Sequence, residues 1–165
     1  MFKKTLALCV SLAAMNAYAV DTPIIGQVES KCVVTTDKQG VYGNPSASIL
    51  STDAADGGVE PVVRFDVVLA EAYKAVIAHP ISFSQSPQLN DVVNWTGSTS
   101  VEAVSDAGMS AYDTSKVEYD NVTEVDLSIA GSTWFQVESE ADYGYDKAFP
   151  AGTYRTIVQA ECIAI

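Results

Sequence analysis

Apolar and polar residues alternate one for one in several short runs of this chain, a pattern that suits strands with one dry face and one wet face. In "GQVESKCVVTT", Val28, Cys32 and Val34 fall on one face while Gln27, Glu29 and Lys31 fall on the other. "PVVRFDVVL" sets Val63, Phe65, Val67 and Leu69 against Arg64 and Asp66. "EVDLSIAGSTWFQVE" reads as a hairpin, with Val125, Leu127 and Ile129 before Gly131 and Phe135 and Val137 after it. The closing run "FPAGTYRTIVQAECIAI" puts Tyr154, Thr156, Val158, Ala160 and Cys162 on one face, with Arg155, Ile157, Gln159 and Glu161 on the other. Turn signals separate these runs: "DKQG", "YGNPS", "DAADGG", "QSPQLND", "TGSTS", "DAGMS" and "FPAG". Many short strands punctuated at this rate predict a mainly β fold, a single antiparallel β-sandwich. One window is ambiguous. "LAEAYKAVIAHP" spaces Leu69, Ala72, Tyr73, Val76 and Ile77 for a helix, yet Tyr73, Ala75 and Ile77 also alternate. Residues 70–78 therefore read equally as one short helix or as another strand.

The first residues set the compartment. "MFKKTLALCVSLAAMNAYA" opens on Lys3 and Lys4, runs through an apolar stretch over residues 6–14, and closes on Ala17, Tyr18 and Ala19. A basic start, a brief apolar middle and a small-x-small finish predict a cleaved secretory signal over residues 1–19, leaving residues 20–165 as one domain. The apolar stretch is far short of the roughly 20 residues that span a bilayer, and no later segment is better suited. The chain thus reads as exported and not membrane-spanning, with the periplasm, cell surface or medium of a bacterial cell as its destination.

Export decides the cysteine reading. Cys9 leaves with the signal, so the mature chain holds Cys32 and Cys162, which stand 130 positions apart. A lone pair in an oxidising compartment predicts one structural disulfide joining the two ends of the domain. Charge narrows the partners. The mature chain keeps seven basic residues against 21 acidic ones, a net of −14. Such a surface repels phosphate backbones and anionic membranes, which excludes nucleic acid as an expected partner.

The search for chemistry yields few candidates. His79 is the only histidine, and before Pro80 it reads as a solvated residue at a strand boundary. There is no nucleophile elbow, phosphate-cradling loop or dinucleotide fingerprint, so no catalytic residue is assigned and an enzyme is not expected. "DAADGG" lacks the alternating oxygen ligands and closing Glu of a calcium loop and reads as a turn. "ESEADYGYD" is the remaining candidate. It gathers Glu138, Glu140, Asp142 and Asp146 beside Tyr143 and Tyr145. Carboxylates with aromatic rings suit a sugar or a calcium ion, so Tyr143, Tyr145, Asp142 and Asp146 form the candidate ligand-binding set, against the plainer reading of a charged loop. No metal ligand is assigned, and calcium is the one cofactor considered.

Two stretches carry a family resemblance. In "IIGQVESKCVV", Gly26, Val28, Cys32 and Val34 resemble the opening strand of chaperone–usher pilin subunits. In "PAGTYRTIVQA", Gly152, Thr153, Tyr154, Ile157 and Val158 resemble the last strand of those subunits. The resemblance implies an immunoglobulin-like, pilin-like sandwich that takes a strand from a neighbouring subunit, with other protein subunits or a surface glycan as partners. The chain departs from that pattern in two places. Pilins bridge the first-strand cysteine to one a few dozen residues on, whereas Cys162 lies in the final run. Only "VDTPII" precedes Gly26, and Pro23 interrupts it. The expectation is an exported structural or adhesive surface protein, with a secreted ligand-binding module as the alternative and a secreted hydrolase a remote one.

Overall fold

The structure, a computed structural model, describes Ile25 and residues 32–165. The signal at residues 1–19 and the positions of Gly26, Gln27, Val28, Glu29 and Lys31 lie outside the described residues. The described chain forms two antiparallel sheets packed face to face. The first sheet holds β1 (Cys32–Lys38), β2 (Gly43–Ser46), β3 (Ile49–Ser51), β4 (Val62–Val67), β6 (Asn94–Val104) and β9 (Gly131–Asp142). The second holds β5 (Tyr73–Ala78), β7 (Val117–Tyr119), β8 (Val122–Asp126) and β10 (Gln159–Ala164).

β9 organises the first sheet. Its twelve residues alternate between buried and half-buried along their length, so one strand supplies Phe135, Val137 and Ala141 to the core. Along one edge β9 pairs with β6 throughout; along the other it pairs first with β4 and then with β3. Phe65 of β4 meets Phe135 edge to face at 5.6 Å, a favoured aromatic geometry at the centre of the core. From the second sheet Tyr73, Ala75 and Ile77 of β5 and Val125 of β8 face them, with Leu127 just beyond β8. Between β6 and β7 the chain makes a 3-10 turn (Ala107–Ala111) and a short helix α1 (Tyr112–Ser115) that plug one margin of the core with Met109 and Tyr112.

The ambiguous window resolves to its strand alternative, and two expectations change. Residues 73–78 are a strand, and among the described residues the short α-helix lies at Tyr112–Ser115: Glu71 adopts φ 61°, which breaks a helix, and burial follows every second residue from Tyr73 to Ile77. The run from Val125 to Val137 is not a hairpin, because β8 pairs with β5 and β7 while β9 belongs to the other sheet. Both arms bury their apolar residues as expected, but across the core rather than side by side. Leu69 lies beyond the end of β4 and is 55% exposed. "DAADGG" is a turn, as read: Asp53 accepts a hydrogen bond from the Ala55 N–H and Gly57 closes it in the left-handed region at φ 76°.

Cys32 and Cys162 are joined in a disulfide with their α-carbons 6.2 Å apart, an ordinary bridge span. The bond ties β1 of one sheet to β10 of the other. No helix among the described residues is long and apolar enough to cross a membrane.

Candidate functional site

β1 and β10 are the two strands that the disulfide brings together, and each has one strand neighbour only, β4 and β5 respectively. Among the described residues no second strand pairs with β1 past Cys32 or with β10, and an open edge is a template for another extended chain. From the bridge, β1 runs toward Lys38 while the final segment, followed backward, runs toward Gly152. Between them opens a cleft of about 640 Å³.

Its floor and walls follow from the fold. Leu50, Val63 and Ser139 come from β3, β4 and β9, Thr36 and Lys38 from β1, and Tyr154 through Val158 from the extended segment before β10. Thr156 and Val158 are half-buried while Arg155 and Ile157 are exposed, which is the alternation expected for this run. Apart from Arg155, which exchanges backbone hydrogen bonds with Gln85 and accepts the Ser84 N–H, residues 154–158 have no backbone partner among the described residues. Tyr42 spans the cleft at one point. Its hydroxyl lies 2.8 Å from Ser139 Oγ on the floor and 3.2 Å from Thr156 Oγ1 on the wall. Lys38 and Arg155 bring two positive charges to an otherwise acidic molecule.

A cluster of aromatic rings fixes the segment that forms this wall. Phe83, Trp95, Phe149 and Tyr154 pack edge to face with centroids 4.7–6.0 Å apart, and Tyr143 stacks on Phe149 at 5.1 Å. Burial in this cluster, with Tyr143 nearby, raises the Tyr154 phenol above its usual range, and its hydroxyl donates to the Pro150 carbonyl at 2.7 Å. Gly152 is required by a close approach: a Cβ there would overlap Pro87.

The candidate ligand set does not assemble into one surface. Tyr143 is buried, one ring face covered by Phe149, with Lys147 near the ring and its hydroxyl accepting the Asn90 N–H. Tyr145 is 91% exposed on the following turn. Asp142 accepts the Gly144 N–H through Oδ1, and Asp146 holds a left-handed turn position at φ 57°. Among the described residues no three His, Cys, Asp or Glu side chains gather in a way that could hold a metal ion. His79, expected in solvent, is 8% exposed, with its ring against Gly97 and its backbone paired to Asn121. Sequence reasoning missed Lys38, Tyr42 and Thr156 as neighbours. The available signal was the placement of Lys38 and Arg155 close to the two cysteine-bearing runs.

Comparison of the chain with known protein families, with curated proteins and with solved structures finds no match in any of the three.

Proposed function

We propose that this is an exported, non-enzymatic structural or adhesive surface protein that works through protein–protein contacts at its free strand edges. The observation that carries the reading is the outer edge of β1, which past Cys32 has no strand neighbour among the described residues, beside a cleft lined by β1 and by the extended residues 154–158. Natural sandwiches usually cover or blunt such edges, because an open edge pairs readily with another extended chain. An incoming strand gains backbone hydrogen bonds from an edge and side-chain specificity from the alternating pockets beside it. The resemblance of residues 26–34 and 152–158 to pilin subunits points the same way and adds subunits of a surface fibre as partners. The disulfide fits an oxidising compartment, as export requires.

The test is the native size of the protein recovered from cells that export it, with and without reductant. Large assemblies that dissociate on boiling are expected. A monomer smaller than the 17.5 kDa precursor, with the bridge intact, overturns the assembly reading. Saturable binding of a glycan by that monomer would move the assignment to a ligand-binding module.

A further inference from the structure

The described residues include six cations: Lys38, Arg64, Lys74, Lys116, Lys147 and Arg155. Four of them stand within 4.0 Å of a carboxylate. Arg64 lies beside Asp37 and Asp66, Lys74 beside Glu124, Lys116 beside Asp113 and Glu118, and Lys147 beside Asp91. A chain with 21 acidic residues offers most of its cations a partner nearby. Among the described residues Lys38 and Arg155 form no such pair, and both line the cleft beside β1. Lys38 acts on Glu60 from a distance, drawing its carboxyl down against the burial and the acidic neighbours that push it up.

We propose that the cleft selects an extended acidic segment of a partner protein, with its carboxylates toward Lys38 and Arg155 and its backbone along the free strand edge. The inference rests on the edge-docking reading above and adds the chemistry of the occupant. The apolar side chains Leu50, Val63 and Val158 give alternate residues of such a segment a dry surface. The molecule's overall negative charge opposes an acidic ligand only weakly, because exposed charges farther away than about 8–10 Å are screened at ordinary ionic strength. Lys38 and Arg155 line the cleft itself, and Glu60, whose carboxyl Lys38 draws down, is the nearby opposing charge that the two together must outweigh. A long polyanion meets the whole acidic surface and does not gain the same advantage.

The experiment measures binding of two labelled synthetic peptides of about nine residues by fluorescence anisotropy. Both alternate valine with polar positions, one carrying glutamates and the other lysines, so backbone pairing and apolar contacts match. The glutamate peptide is expected to bind about tenfold more tightly at about 0.15 M ionic strength, two exposed ion pairs' worth, with the difference narrowing at about 0.01 M, where the Debye length reaches about 30 Å and the net negative charge opposes it. The double reversal K38E/R155E is expected to invert the preference; both side chains are exposed, and K38Q/R155Q serves if the reversal does not fold. Equal affinity for the two peptides, or a preference that survives reversal, overturns the acidic selectivity and leaves edge docking standing. Failure of both peptides to bind overturns the inference and edge docking together. A concentration-dependent dimer that shuts out both peptides overturns the acidic partner and assigns the cleft to a second copy.

Discussion

Glu60 sits half-buried, and its carboxyl is raised above the ordinary range, first by burial and then by Glu138 and Asp53. A carboxyl with a raised folded pKa binds its proton more tightly in the native state than in the unfolded one. Its ionisation therefore costs stability at neutral pH, and the cost disappears as pH falls below the ordinary carboxylate range. E60Q is expected to stabilise the protein by a few tenths of a kcal/mol at pH 7 and to match wild type near pH 3, read from urea unfolding at both pH values. Tyr143 gives a second case. Y143F keeps the ring on Phe149 but leaves the Asn90 N–H without its acceptor, for an expected loss of about 1 kcal/mol. Y143A removes the ring and is expected to cost about 3–5 kcal/mol in the same assay. At this scale the sequence showed that tyrosines and carboxylates cluster at residues 138–146. It could not show that one tyrosine turns inward, because that depends on Phe149 and Asn90 arriving from other parts of the chain.

Strand β5 shows where local pattern was decisive and where it was not. Two periodicities fit residues 69–78 equally, and tertiary contact chose between them: β8 and β10 pair with β5 on either side. Ile77 is fully buried against the opposite sheet, whereas Lys74 lies on the outer face beside Glu124. I77A is expected to cost about 2–5 kcal/mol in chemical unfolding, and K74A to leave stability nearly unchanged. The misread hairpin has the same origin. Alternation in β8 and β9 correctly gave the buried faces, but adjacent strands in the chain can join across a sandwich as readily as within a sheet. Period-two patterning carries no signal that separates the two, and Gly131 marks only that the chain bends.

For the whole molecule, the two-sheet architecture and the Cys32–Cys162 pairing were both legible, the first from alternation and turns, the second from having only two cysteines left to pair. The cleft was not legible. It needs β1, β3, β4 and β9 to present residues far apart in the chain to one space. The bridge closes a loop of 130 residues, for an upper-limit entropic stabilisation of about 5 kcal/mol. C32S/C162S is expected to lose most of that in denaturant unfolding, and reductant should reproduce the effect in wild type and leave the double variant unchanged.

The same bond has a mechanical consequence. If the molecule is held at residues 25 and 165 and pulled, tension enters at Cys32, crosses the sulfur–sulfur bond and leaves from Cys162, so the sandwich between them bears almost no load. Only the short tails outside the bridge lengthen. Once the bond is cut, the chain across the 130-position separation becomes extensible, and a stretch of about 400 Å is released when the sheets give way. Single-molecule pulling should record no unfolding step for the oxidised protein and one long step after reduction. The disulfide makes this domain an inextensible link whose length does not depend on whether its sheets are intact.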